Sequence, residues 1–156
     1  MTRALLLVIR IALGALFAWA GVVKLGDANG FAVEITNYRL LPALAPYLAV
    51  MLPGVELATG VALMIGPRRF VRAAALVATL LLLAFTVAVT QVVVRGINIQ
   101  CGCFGGDAGP VTWLTVLRDA LLLGAALTVL VLDGRSARAP LDPVDPVAPV
   151  APVDRP

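Results

Sequence analysis

The chain has 156 residues, 61% of them hydrophobic and 13% charged, with a formal net charge of +3 and a mean hydropathy of +1.00. Soluble domains carry roughly 45–50% apolar and about 25% charged residues, so this composition excludes an ordinary soluble domain. The positive balance does not point to nucleic acid, because the lysines and arginines fall at the ends of apolar runs rather than in a basic patch.

Four apolar runs reach the roughly 18 residues that a membrane-crossing helix needs: 4–23, 44–65, 71–94 and 111–132. Lipid offers the backbone no hydrogen-bond partners, so helices are the expected spanning form. The expected fold is all-α: a polytopic membrane four-helix bundle over residues 1–133, with a short interfacial amphipathic helix and a disordered Pro-rich C-terminal tail over 134–156.

The first run contains Arg10 and is followed by Lys24. Its segment "ALFAWA" has Ala18 and Ala20 at the small positions of a signal-peptidase site. The apolar run continues through residues 21–23, which favours a retained span; cleavage is the alternative. In the polar segment 24–43, Phe31, Ile35, Tyr38 and Leu41 recur at three- and four-residue spacing, with Glu34, Asn37 and Arg39 elsewhere. That pattern predicts a short amphipathic helix in the outer membrane interface, with an irregular loop as the alternative.

In the second run, Pro53-Gly54 predicts a kink. The turn Gly66-Pro67-Arg68-Arg69 is short, so runs two and three are expected as antiparallel neighbours. The third run is lipid-compatible until Thr86, Thr90 and Gln91, and Pro110 is placed to open the fourth. From Pro140 to Pro152 proline recurs every third residue, which predicts an extended or disordered tail.

Charge sets the orientation. Arg3, Arg68, Arg69, Arg72, Arg135 and Arg138 fall on one side, against Lys24, Arg39 and Arg95 on the other. Cytoplasmic loops retain Lys and Arg, so the expected topology is N-in and C-in in the inner membrane, with the 95–110 loop extracytoplasmic. A charge within the bilayer costs on the order of 3 kcal/mol. Arg10 and Glu56 lie about 9 and 13 Å in from the cytoplasmic side by helical rise, so they are expected to form an intramembrane ion pair. Near the outer face Gln91, Thr86, Thr90, Lys24, Arg118 and Asp119 gather. Arg118 and Asp119 are sequence neighbours and are not expected to face each other, so one should meet another span or the loop.

Both cysteines, Cys101 and Cys103, lie in "NIQCGCFGGDAGP". Structural zinc takes four Cys or His ligands, and this chain has two cysteines and no histidine. A two-thiolate copper(I) site, with Met51 or Met64 as thioethers, is an alternative. A redox-active dithiol or disulfide is the leading reading: a one-residue ring is tight, strain favours reducibility, and Gly102 supplies backbone freedom. Arg95, Arg118 and the start of the fourth span favour thiolate, and Lys24 and Asp107 are further candidates to activate it. Inert thiols or a static bridge are the bland alternative.

"RIALGALFAWAGVVKL" (10–25), "YRLLP" (38–42), "LPGVELATG" (52–60) and "CGCFG" (101–105) resemble the MauE-like methylamine-utilisation membrane proteins, which look related to the DoxX-type four-helix family. The likeness covers roughly residues 5–132 and matches at Arg10, Gly14, Gly21, Lys24, Tyr38, Pro42, Pro53, Glu56, Gly60, Cys101, Gly102, Cys103, Gly105 and Arg118. It departs at Asp119, where asparagine is expected. The resemblance implies a membrane component that helps to mature an extracytoplasmic enzyme, in the named case the disulfide-rich small subunit of methylamine dehydrogenase. By analogy with membrane thiol oxidoreductases such as vitamin K epoxide reductase, it implies electron exchange with a quinone and with a thioredoxin-like or client protein. A non-catalytic assembly subunit and a copper(I) or small-molecule transporter are the rival expectations.

Overall fold

A computed structural model describes residues 3–99 and 109–136. Its elements are α1 (Arg3–Gly26), α2 (Ala28–Asn37), a 3-10 turn (Pro42–Leu44), α3 (Ala45–Ile65), α4 (Arg68–Val94) and α5 (Trp113–Ser136). Four stretches are long and apolar enough to cross a membrane: Arg3–Gly26, Pro42–Ile65, Arg68–Val94 and Trp113–Asp133. The described chain is therefore an all-helical, multi-pass membrane protein.

The long helices close into a ring in which α1 packs on α3, α3 on α4, α4 on α5 and α5 on α1. Its core is built from Leu13, Phe17, Leu63, Val71, Ala75, Ala78, Leu82 and Val129. The outer faces stay apolar, with Val8, Val22, Val50, Leu80, Val87 and Leu121 all exposed. Leucine and valine on the outside of a bundle this apolar suit hydrocarbon rather than water.

Small residues set the α1–α3 separation. A Cβ added at Gly14 would lie 2.8 Å from the Gly60 carbonyl oxygen, and one at Gly21 would lie 2.7 Å from that of Pro53. Gly14, Ala18 and Gly21 thus form a small-residue stripe of the kind that lets membrane helices touch backbone to backbone. α3 stays helical through Pro53, which is buried against this stripe.

The predicted amphipathic helix is present as α2, with Phe31 buried. Asp27 caps it by accepting the Gly30 N–H at 2.9 Å. Removing that cap with Asp27→Ala is expected to cost about 1 kcal/mol locally. It should show as faster hydrogen exchange of the first α2 amides, with those of α3 unchanged.

α4 ends as a Schellman turn. Gly96, at φ +64, donates to Val93 O, and Ile97 donates to Val92 O. The fourth span begins two residues later than the run 111–132 predicts. Val111 N–H is taken by Ile99 O at 3.0 Å, and Thr115 Oγ1 accepts the Thr112 N–H in the manner of half a capping box. At its other end α5 continues to Ser136, so the first three residues of the expected tail are helical. The rest of the tail lies outside the described residues.

Candidate functional site

Glu56 sits mid-way along α3 and is 1% exposed. Lys24, at the last turn of α1 and 4% exposed, donates to Glu56 Oε1 at 2.7 Å and to Oε2 at 2.8 Å. The expected Arg10–Glu56 pair is therefore not formed, and Glu56 pairs with Lys24 instead. The cause is the direction in which helical side chains lean. Each tilts toward the N-terminus of its own helix, so in an antiparallel pair Lys24 leans inward while Glu56 leans toward the loop end, and they meet. Arg10, on the same helix as Lys24, also leans toward the start of α1 and so away from Glu56. The register that sets Gly14 opposite Gly60 sets Arg10 opposite Met64, and Arg10 Nη2 donates to Met64 O at 3.3 Å.

Two aromatic rings bracket the lysine, with Nζ 5.2 Å from the centre of Phe31 and 5.5 Å from that of Phe85. Ring faces stabilise a desolvated ammonium, so the Lys24 charge is held by one carboxylate and two π faces. Neither phenylalanine stands out in the sequence. The i, i+4 spacing of Phe31 and Ile35 marks an apolar face, and what that face covers depends on how α2 folds back.

Asp119 on α5 is 3% exposed. Arg118 donates to its Oδ1 from Nε at 3.0 Å and from Nη2 at 2.9 Å. The expectation that these neighbours would not engage each other is corrected: the long guanidinium stem folds back along the helix and reaches the adjacent carboxylate. Asp119 does meet other spans, as expected of one of the two, because it lines a cavity of about 40 Å³ together with Lys24, Glu56, Leu82 and Phe85. No donor among the described residues reaches Asp119 Oδ2.

Gln91 has a positioning role. Its Nε2 donates to Tyr38 O at 2.7 Å, and its Oε1 accepts from Arg95 Nη1 at 2.8 Å, so it ties the end of α4 to the end of α2. Thr86 and Thr90 turn back on their own helix, donating to Leu82 O and Thr86 O. Cys101, Cys103 and Asp107 lie outside the described residues. Their flanks are described: Ile99 and Val111 are hydrogen-bonded to each other, at the end of the bundle where α4 finishes and α5 begins.

A second cavity, of about 290 Å³, opens under α2 between α3 and α4. Its walls include Phe31, Ile35, Leu52, Leu81 and Phe85, and its polar rim has Lys24, Glu34 and Tyr38. Small-molecule pockets run from roughly 300 Å³ upward, largely apolar with a few convergent polar groups. The donor set fits a flat apolar ring bearing carbonyl acceptors, such as a quinone head, because it combines aromatic and aliphatic walls with one buried ammonium.

A ring of membrane-crossing helices with a buried cation–carboxylate pair inside it defines a small integral membrane protein with an internal polar site. The sequence profile of the family described as "Methylamine utilisation protein MauE" matches residues 2–132, and the chain belongs to this family. It is 41% identical over 124 residues to "Methylamine utilization protein MauE" of Paracoccus denitrificans, a match covering 78% of this chain and 66% of that protein. The proteins of the same name from Paracoccus versutus and Methylophilus methylotrophus are 39% and 34% identical, over 74% and 72% of this chain and 62% and 60% of theirs. The chain thus spans just under two thirds of the length of these relatives. No solved structure matches it significantly.

Proposed function

We propose that this chain is a membrane thiol–disulfide redox component serving the maturation of an extracytoplasmic enzyme of methylamine utilisation. Cys101 and Cys103 carry the exchange. One thiolate attacks a disulfide sulfur of the client or of a thioredoxin-like partner and expels the other sulfur as thiolate. The second cysteine then attacks the mixed disulfide and releases the partner as a dithiol. In the oxidising direction the same steps run in reverse, and re-forming the Cys101–Cys103 bond releases two electrons and two protons. A quinone bound under α2 would supply the acceptor for them. Lys24 would orient a carbonyl oxygen of the ring, and Phe31 and Phe85 would exclude water from it. The protein sits with both termini in the cytoplasm and the cysteine loop outside.

The observation that carries this reading is the coincidence at one end of the bundle. The stem of the cysteine loop, Ile99 and Val111, leads into α5, where Pro110 and Thr112 border one groove with Arg118, and the neighbouring Asp119 lines a cavity with Lys24 and Glu56. With no histidine in the chain, those charges are the available means of tuning thiol chemistry.

The test is trapping. Cys101→Ser and Cys103→Ser variants purified from membranes are expected to differ, with one of them holding a client in a mixed disulfide detectable by mass spectrometry. Thiol labelling of intact cells should reach both cysteines. If the double serine variant leaves the client's disulfides and activity intact, the reading is wrong.

A further inference from the structure

Asp119 Oδ2 is a charged oxygen in the interior with no donor among the described residues, although Oδ1 of the same carboxylate receives two. It lines the 40 Å³ cavity shared with Lys24 and Glu56. A buried water needs about 10–15 Å³ and two to four polar partners. This cavity has the room, and three residues that carry polar groups line it, Asp119, Glu56 and Lys24. Its other walls are apolar, Phe17, Leu82, Phe85 and Leu122 among them, so no competing polar group draws water elsewhere.

The cavity lies between two others. Arg118 and Leu122 also border an open groove that starts at Pro110 and Thr112, beside the stem of the cysteine loop. Lys24 and Phe85 also line the large cavity under α2. The cavity that Asp119 lines therefore shares a wall residue with the loop-side groove and two with the large cavity.

We infer that Asp119, held by Arg118, keeps water against the Lys24–Glu56 pair, and that Asp119, this water and Lys24–Glu56 form a proton path from the loop-side groove to the cavity under α2. This rests on the thiol–quinone reading above. Closing the Cys101–Cys103 disulfide releases two protons with its two electrons, and reducing a quinone to the quinol takes up two of each. Protons need carriers to cross an apolar interior, and a carboxylate joined by water to a second ion pair is such a carrier. Asp119 is a positioning and proton-carrying residue here and not a nucleophile.

The experiment uses the full chain in lipid nanodiscs and has two arms. X-ray hydroxyl-radical footprinting oxidises side chains that lie against bound water. Phe17 and Leu82, which line this cavity and neither of the other two, are expected to be labelled in the unsubstituted protein and protected severalfold in Asp119→Leu. Absence of labelling in the unsubstituted protein overturns the water site, whatever the redox activity. In the second arm, dithiothreitol-reduced protein reduces ubiquinone-1 in H₂O and in D₂O. Asp119→Asn is expected to slow this at least about tenfold and to alter the solvent isotope effect, with Asp119→Glu restoring both and the melting temperature reporting that each variant is folded. An Asn variant with the original rate and isotope effect overturns the proton path. If the unsubstituted protein reduces no quinone, the acceptor proposed above is wrong and the path has no proton to carry, while the water site is still decided by the first arm.

Discussion

Glu56→Ala is expected to destabilise the protein by about 3–5 kcal/mol, because removing one member of a buried ion pair leaves the other charge buried and uncompensated. Lys24 is 4% exposed and both of its hydrogen bonds to a side chain go to Glu56. The remaining ring faces of Phe31 and Phe85 offset only part of that loss, about 1–2 kcal/mol in a desolvated setting. The measurement is a denaturation curve in mixed micelles, read from Trp19 and Trp113 fluorescence. The informative comparison is the double change Lys24→Met with Glu56→Leu. Replacing a buried pair by apolar residues of similar size is often neutral or stabilising, so the double variant should recover most of the stability lost by the single one. On the proposed quinone reading it should not recover quinone reduction, since the Lys24 ammonium that lines the large cavity and the proposed water-linked neighbours of Asp119 are gone. A double variant as unstable as Glu56→Ala would mean that the pair holds the helices together rather than serving a ligand.

The four spans were legible because the membrane imposes a length and a composition that few other structures share. Run boundaries met the helices to within a few residues, and local hydrogen bonds account for the later start of α5, at Val111 and Thr112. The amphipathic spacing of Phe31 and Ile35 was likewise enough to place α2. The pairing of charges was not legible from depth alone. Counting residues from the end of the bundle where α1 starts and α3 finishes puts Arg10 and Glu56 at similar heights, but the N-terminal lean of helical side chains moves them apart by roughly a turn each and brings Lys24 and Glu56 together. The register needed to see this was present in the glycines, since Gly14, Gly21 and Gly60 mark where α1 and α3 touch. The cavity under α2 had no linear signal at all. It exists because a ten-residue helix folds back against α3 and α1, and its walls come from residues as far apart as Lys24 and Ala88.

That same glycine register yields the second large effect. Gly60→Ala is expected to cost about 3 kcal/mol, at the upper end of overpacking penalties. The new Cβ would lie 2.5 Å from Ala18 N and 2.6 Å from Gly14 O, and both are backbone atoms of a helix that cannot yield locally. α1 and α3 must separate, and the separation acts on the site as well as on stability. Lys24 and Glu56 sit on these two helices, so their 2.7 and 2.8 Å hydrogen bonds lengthen as the helices part. Gly124→Ala provides the internal control. That glycine lies in α5 with nothing within 4 Å of an added Cβ, so alanine there should be neutral or stabilising by up to about 1 kcal/mol through helix propensity alone. Denaturation midpoints that fall for Gly60→Ala and hold or rise for Gly124→Ala would establish the α1–α3 contact as the element that fixes the geometry of the buried charges. Equal midpoints would mean that the two helices do not approach at this register, and the Lys24–Glu56 pairing would lose its structural basis.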